Sequence, residues 1–163
     1  MPVPVDTLRA VRKVIVHKQS AAAPCGDGRA SALILHAALP GAEVIELAYG
    51  EPAHVNLAAE PGLLFCDFSP PEARAAEFVA AGAIVLDHHE RERVEPFGAL
   101  GTFGENERGE SGAWLAWREV YQATSARFTW SIGEARAAEH VAALAAIRDT
   151  WQRDSPDWDA ACA

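Results

Sequence analysis

The sequence AIVLDHH, residues 83–89, joins a short apolar run to an aspartate and two histidines. Ala83–Leu86 is continuously apolar and follows a glycine, which predicts a β-strand. An apolar run without polar alternation is typical of a strand in a sheet that is covered on both faces. The strand therefore belongs to the centre of a sheet, and Asp87, His88 and His89 lie at its carboxyl end.

Similar runs recur on both sides of this strand and alternate with alanine-rich amphipathic stretches, the pattern of βαβ units. Ser69 is a candidate N-cap for the helix before the strand, because two prolines and a glutamate follow it. We expect an α/β fold in three layers, a doubly wound and mainly parallel sheet with helices on both faces. Further strands are predicted at Val11–His17, Glu43–Ala48, Gly62–Phe65 and within Phe97–Asn106, and helices at Gly28–Leu39, from Ser69 to Gly82, at Ser111–Ala123 and at Gly133–Trp151.

The size and composition of the chain limit its organisation. At 163 residues and 50% hydrophobic, it suits one domain of ordinary size. We predict a single domain over residues 1–157 and a C-terminal tail over residues 158–163. The stretch from Gln152 onward is polar and acidic, so we expect it to be loosely held.

Charge and cysteine content narrow the function classes. A net charge of −9 argues against a protein that binds duplex nucleic acid regardless of sequence, since such proteins need lysine and arginine to displace counterions. The three cysteines are an odd number without regular spacing, which argues against a disulfide framework. Without a signal peptide or a long apolar run, we expect a reduced, cytoplasmic location and no membrane contact.

Acidic side chains follow several of the predicted strands. Asp27 comes after the first strand and a loop, while Asp67 and Asp87 directly end two others. Because the carboxyl ends of parallel strands meet at one edge, these side chains and His88 should converge there. Carboxylates with an imidazole suit Mn²⁺ or Mg²⁺. The alternative for each single aspartate is a helix cap or a turn, but that explanation is poor for all of them together.

In this arrangement the sequence resembles the DHH family of phosphoesterases. Asp87-His88-His89 resembles the motif that names the family, and Cys25-Gly26-Asp27-Gly28 resembles its first motif. Phe65-Cys66-Asp67-Phe68-Ser69 resembles the second motif, and Ile147-Arg148-Asp149-Thr150-Trp151 the fourth. The helix predicted after the DHH triplet resembles one found in a subgroup. The order and rough spacing match from residue 11 to about residue 157.

The resemblance implies a role for each matching residue. Asp67 would bridge two metal ions, and Asp27, His88 and Asp149 would complete the ligands of one ion. His89 would face the substrate phosphate, and Asp87 would orient His88 or lie near the metal. Arg148 and Arg91 are candidate contacts for an anionic substrate. The implied cofactor is Mn²⁺ or Mg²⁺, one or two ions, and the implied reaction is in-line attack by activated water on phosphorus.

Two departures from the family pattern concern the second ion and the substrate. Cys25 stands where the family often has an aspartate, and Ala21 and Ala22 stand where a histidine is expected. His17 lies at the end of the first strand and is a further candidate ligand. The family also usually has a substrate-binding domain after this one, so we expect a partner subunit, a homo-oligomer or an open site.

These observations favour an enzyme that hydrolyses phosphoester or phosphoanhydride bonds in a small nucleotide or a short single-stranded nucleic acid. The alternative is a non-catalytic protein that binds one metal ion and a nucleotide or a protein partner. Cys25 and the missing second domain favour that alternative. The joint presence of the aspartates, His88 and His89 favours the enzyme.

Overall fold

Five parallel strands form one sheet in a computed structural model of the chain, which describes residues 3–20, 25–125 and 131–162. The strands are β1 (Lys13–His17), β2 (Glu43–Leu47), β3 (Leu63–Cys66), β4 (Ile84–Asp87) and β5 (Gly101–Phe103). Their order across the sheet is β2-β1-β3-β4-β5, and every neighbouring pair is parallel. The predicted α/β fold with a parallel sheet is confirmed.

Helices connect the strands, and none in the described ranges is long and apolar enough to cross a membrane. They are α1 (Val5–Arg9), α2 (Gly26–Ala38), α3 (Pro52–Val55), α4 (Ala75–Ala80), α5 (Arg91–Val94), α6 (Gly112–Leu115), α7 (Gln122–Ser125), α8 (Ile132–Asp149) and α9 (Trp158–Cys162). A π-helical segment (Ala116–Tyr121) joins α6 to α7, and short 3₁₀ turns occupy Glu72–Arg74, Glu95–Leu100 and Asn106–Arg108.

The apolar residues of each central strand divide between two cores, because successive side chains point to opposite faces. Val14 and Val16 of β1 pack on one face with α2, α6 and α8, whereas Ile15 packs on the other face with the aromatic residues around α4. Strands β3 and β4 alternate in the same way. Both faces of the sheet are therefore covered, and this explains why the central strands carry uninterrupted apolar runs.

The order of the strands places a crevice at the end of β1. From β1 the chain moves outward to β2, and it then returns to place β3 on the other side of β1. In open parallel sheets, ligands bind at such a point, beyond the carboxyl ends of the strands. His17 ends β1, Cys66 ends β3 and Asp87 ends β4, so this edge of the sheet receives the residues singled out in the sequence.

Three details differ from the sequence expectations. Helix α2 begins at Gly26, so Asp27 lies in its first turn. The prediction that Ser69 is a helix N-cap is wrong, because its hydroxyl hydrogen-bonds to the buried carboxylate of Asp87 instead. The tail includes the helix α9, which follows Trp151 after a short turn. Ala21 and Ala22, where the family histidine was expected, lie outside the described residues.

The first turn of α2 lies directly against the end of β1. A Cβ atom on Gly28 would lie 2.0 Å from the carbonyl oxygen of His17. The contact involves backbone on both sides, so no side chain can rotate away to relieve it. Gly28 therefore allows Asp27 and His17 to approach each other at the crevice.

We predict that Gly28→Ala destabilises the protein, by roughly 2 kcal/mol or more, because overpacking against backbone forces strand and helix apart. Chemical denaturation monitored by circular dichroism measures the change. Gly133→Ala is the matched control, since Gly133 also lies in the first turn of a helix and a Cβ there would meet nothing closer than 3.8 Å. That variant should be neutral or slightly stabilising. Equal effects of the two substitutions would contradict the close approach.

Candidate metal centre

Three carboxylates predicted as ligands converge on the imidazole nitrogen of the fourth predicted ligand, His88. Nε2 of His88 lies 3.1 Å from Oδ1 of Asp67, 3.2 Å from Oδ2 of Asp149 and 3.7 Å from Oδ2 of Asp27. One ligand atom each from Asp27, His88 and Asp149 lies within 4.8 Å of the others. The structure thus brings together residues that are up to 122 positions apart in sequence (149 minus 27).

Each of these side chains is supplied by a different element. His88 follows β4, Asp27 belongs to the first turn of α2, and Asp149 is the last residue of α8. Asp67 follows β3 in the left-handed region with a φ of 56°, which an aspartate tolerates better than most residues. Its amide still donates to the carbonyl of Leu86 on β4 at 2.9 Å, so the turn remains attached to the sheet.

Asp27 is anchored through one oxygen and free at the other. Its Oδ1 accepts hydrogen bonds from the Ser111 hydroxyl at 2.7 Å and from the Ala113 amide at 3.0 Å. Its Oδ2 is buried and has no hydrogen-bond partner among the described residues. A buried carboxylate oxygen without a partner is costly. Oδ2 of Asp27 points toward His88 and is suited to bind a cation.

Burial concentrates negative charge around His88. Asp67 is 1% exposed, and burial together with the charge of Asp27 raises its pKa well above the ordinary value. Burial and Asp27 raise the pKa of Asp149 as well. Burial by itself lowers the pKa of His88, but its hydrogen bonds to Asp67 and Asn106 and the charge of Asp27 outweigh that effect and raise the pKa to about 10. The cluster therefore favours a positive charge at its centre.

A second group of donor atoms faces the other oxygen of Asp67. Sγ of Cys25 lies 3.4 Å from Oδ2 of Asp67, and Nδ1 of His17 lies 3.8 Å from the same atom. The three ligand atoms lie within 4.8 Å of one another. His17 Nδ1 is buried and makes no hydrogen bond with any described residue. His17 thus reaches the cluster across the short distance that Gly28 permits, and Cys25 takes part in it rather than interrupting it.

This second group is less ready to accept a hard cation. Burial and the charge of Asp67 raise the pKa of the Cys25 thiol to about 12. Burial and the charge of His89 lower the pKa of His17. The donor set combines a sulfur, a nitrogen and a shared oxygen, whereas the group around His88 is rich in carboxylate oxygen. Soft sulfur ligands favour ions such as Zn²⁺ over Mn²⁺ or Mg²⁺.

Asp87 supports His89 rather than the ring of His88. Its Oδ1 accepts from Nδ1 of His89 at 2.7 Å and from the backbone amides of both histidines. Its Oδ2 accepts from the hydroxyls of Ser69 at 2.5 Å and Tyr49 at 3.4 Å. Burial alone would raise the pKa of Asp87, but the hydrogen bond and charge of His89 and the bond from Ser69 lower it overall. The expectation that Asp87 orients the His88 imidazole is corrected.

Asn106, not Asp87, is the hydrogen-bond partner of the His88 ring. Its Oδ1 lies 2.7 Å from Nδ1 of His88, on the side of the ring opposite the carboxylates. A metal-ligating histidine usually bonds through its other nitrogen to an oxygen of this kind. Asn106 and Ser111 were not identified from the sequence as site residues. Asn106 lies in a glycine-rich loop 18 residues from His88, and nothing in the sequence relates the two.

The histidine fixed by Asp87 faces a cleft. The side chain of His89 is 36% exposed and lines a cavity of about 550 Å³ together with Asp27 and Asp149. Arg148 also lines this cavity, and within the described ranges its guanidinium forms no ion pair. The centre therefore opens onto solvent beside a histidine and a cation, both of which are suited to contact a phosphate group.

Arg91 is directed elsewhere. It pairs with Glu105 at 3.6 Å and lies 4.4 Å from the centre of the Phe103 ring. Arg93 lies closer to the site, because it lines a smaller cavity of about 340 Å³ with His89 and Tyr49. Of these two arginines, Arg93 is the one beside His89, and a substrate contact of Arg91 stays a prediction.

Comparison with known proteins supplies no family for the chain. No protein-family model matches the sequence, and no curated protein sequence matches it either. The interpretation of the site thus depends on the residues and their geometry.

We predict that Asn106→Ala lowers the pKa of His88 from about 10 by roughly one unit or more. The asparagine oxygen accepts a hydrogen bond from the protonated ring, so its removal disfavours the charged form, and such a bond to a charged group is worth about 1.5–3 kcal/mol. Titration of the histidine ring followed by NMR in chelator-treated protein measures the shift. Asn56→Ala, at an exposed position on another loop, is the control. An unchanged titration of His88 would rule out the assigned contact.

Proposed function

We propose that this protein is a divalent-metal-dependent phosphoesterase whose site is organised by the carboxylate of Asp67. The observation that supports this best is the division of that carboxylate between two donor groups. Oδ1 faces His88, and Oδ2 faces His17 and Cys25. A carboxylate shared in this way is suited to bridge two cations, as two-metal phosphoryl-transfer sites require.

The residues present fit a metal ion. Asp27 Oδ2 and His17 Nδ1 are buried without hydrogen-bond partners in the described chain, and they belong to different groups of possible metal ligands. The group around His88 offers carboxylate oxygens and one imidazole, which suits Mn²⁺ or Mg²⁺. Burial and then the charge of Asp27 raise the pKa of Asp67 and Asp149, and a bound ion would offset this negative charge.

A bound divalent ion would activate water and offset charge on a phosphate group. The chain's own residues then have distinct tasks. The ionised Asp87 holds Nδ1 of His89, so the other nitrogen of His89 is available to a phosphate oxygen at the cleft. Arg148 offers a second positive contact on the same cleft. A donor that acts mainly in the transition state contributes roughly 10²–10³ in rate.

The cleft favours a small substrate. Its volume of about 550 Å³ lies within the range of typical small-molecule sites, roughly 300–1,000 Å³. The net charge of −9 disfavours long nucleic acid, which requires extended basic surface. We infer a small nucleotide or a short single-stranded nucleic acid as substrate and no membrane partner. A homo-oligomer or a partner subunit that completes the site remains part of this proposal, as does a cytoplasmic location.

The second candidate function is a non-catalytic protein that binds one metal ion and a nucleotide or a protein partner. One observation favours it: the second donor group contains a thiol with a raised pKa where an oxygen ligand would serve a second Mn²⁺ better. Under this alternative, metal binding is retained and hydrolysis is absent.

The test of the proposed enzyme combines metal counting with hydrolysis of methyl p-nitrophenyl phosphate. We expect one tightly held Mn²⁺ per chain by elemental analysis, and hydrolysis that depends on Mn²⁺. Asp67→Asn keeps the volume of the side chain but removes the charge that would hold the ion. It should abolish Mn²⁺ binding and activity while the fold, measured by circular dichroism, survives. Because the carboxylates repel one another, the variant should melt at an equal or higher temperature in chelator.

Two further variants sharpen this test. Asp6→Asn, at an exposed carboxylate on α1, is the control and should leave Mn²⁺ content and activity unchanged. Cys25→Asp replaces the thiol by an oxygen ligand and should raise the Mn²⁺ content toward two ions per chain. Metal binding by the wild type without hydrolysis would support the non-catalytic alternative. Unchanged Mn²⁺ affinity in Asp67→Asn would refute the role of Asp67.

The two histidines of the triplet should separate metal binding from turnover. His89→Ala should leave Mn²⁺ affinity nearly intact and lower the rate of hydrolysis by roughly 10²–10³-fold, because a donor to the phosphate is lost. His88→Ala should remove both metal binding and activity, because its Nε2 lies among three carboxylates. Isothermal titration with Mn²⁺ and steady-state kinetics measure the two properties. Equal loss of metal in both variants would show that the assignment between the histidines is wrong.

A further inference from the structure

Trp151 is placed at the rim of the cleft that leads to the candidate metal centre. It lines the same cavity as Asp27, His89 and Asp149, yet its side chain is 66% exposed. By contrast, Trp117 is 6% exposed and belongs to a core. Large aromatic side chains are normally withdrawn from water, so a ring that is exposed beside a cleft requires an explanation.

The backbone conformation at position 151 disfavours a tryptophan. Helix α8 ends at Asp149, and Trp151 has a φ of 56° two residues later. Its amide donates to the carbonyl of Arg148, and the next amide, of Gln152, donates to Ile147 at 2.9 Å. This is the pattern of a Schellman cap, in which the left-handed residue is usually glycine. A bulky residue in that conformation is strained.

Packing within the tail does not account for the ring. The rings of Trp151 and Trp158 are 6.2 Å apart between centroids, and the Arg153 guanidinium lies 4.9 Å from the centre of the Trp151 ring. Two-thirds of the Trp151 side chain remains exposed in spite of these contacts. Strained and exposed residues that persist beside a site are often retained for what they bind.

The end of α8 brings a carboxylate, a guanidinium and an indole ring to the cleft. Asp149 belongs to the donor group around His88, Arg148 lines the cleft with no ion pair among the described residues, and Trp151 forms the rim. A ligand that reaches all three would carry a phosphate for the metal centre and the arginine, and a flat ring for the tryptophan. A nucleoside phosphate combines these features, and stacking of a base on an aromatic side chain is tolerant of base identity.

We infer that Trp151 is a stacking platform for the base of a nucleoside phosphate whose phosphate group lies at the metal centre. This inference rests on the proposed function and names the part of the substrate that the metal centre itself does not recognise. The shared chemistry is a single nucleoside monophosphate unit, either a free nucleotide or the terminal unit of a short oligonucleotide.

The test measures binding, so that it does not depend on turnover. Isothermal titration of the Mn²⁺-loaded protein compares AMP with ribose 5-phosphate, which has the same phosphate and sugar but no base. We expect AMP to bind roughly 5- to 150-fold more tightly, the range that stacking of one base provides. Trp151→Gly should abolish this preference and leave the affinity for ribose 5-phosphate unchanged, while Trp151→Phe should retain most of it. The dinucleotide pApA, measured in parallel, distinguishes a free nucleotide from an oligonucleotide end.

Controls separate recognition from packing. Trp158→Ala removes the neighbouring ring, which is not part of the cleft lining, and should preserve the preference for AMP. Trp151→Gly places the favoured residue in the left-handed cap, so its melting temperature should equal or exceed that of the wild type. A wild type without preference for AMP, or a Trp151→Gly variant that keeps the preference, would overturn the inference. A preference that is present although methyl p-nitrophenyl phosphate is not hydrolysed would refute the proposed enzyme and leave the inference standing.

Discussion

The sharing of the Asp67 carboxylate between two donor groups is the constraint on which the rest of the site depends. Its two oxygens can face different donor groups only if β1, β3 and β4 end at the same edge of the sheet. The first turn of α2 must also lie very close to the end of β1. Two glycines permit that approach. Gly28 lies against the carbonyl of His17, and a Cβ on Gly112 would lie 2.4 Å from Cβ of Asp67. The elements around the centre are therefore fixed by backbone contacts rather than by flexible side chains.

Electrostatics gives the two sides of Asp67 different characters. Around His88, the buried carboxylates of Asp27 and Asp67 and the partly exposed one of Asp149 create a demand for positive charge, which the raised pKa of His88 partly meets. Around His17 the donors are a thiol and an imidazole, both partly buried, and this burial favours the neutral form of each. Asp87 stands apart from both groups, because hydrogen bonds from His89, Ser69 and Tyr49 satisfy it. One fold thus holds an acidic centre, a softer second group and a positioned histidine within a few ångströms.

The C-terminal segment adds a wall to this centre. Trp151, Ala160 and Ala161 line the cleft together with His17 and His89, so the stretch expected to be a loose tail contributes to the shape of the site. The segment begins where α8 ends, and α8 also supplies Asp149 and Arg148. The donor group around His88, the Arg148 guanidinium and the Trp151 rim are consequently linked through one helix terminus, and a shift of α8 would affect all three.

The sequence by itself determined the parallel sheet and the group of residues at its edge. Uninterrupted apolar strands require cover on both faces, and parallel strands place Asp67, Asp87 and His88 at the same end.

The sequence did not determine which carboxylate oxygen contacts which donor. Asp87 bonds to His89 rather than to the His88 ring, Asn106 takes the place expected for Asp87, and Arg93 rather than Arg91 lines the smaller cavity beside His89. Those choices depend on loop paths and on side-chain directions at the ends of elements, where no periodic pattern restricts the backbone. Cys25 meets Asp67 across 42 positions of sequence, and Trp151 reaches the cleft because α8, just beyond whose end it lies, packs against α2.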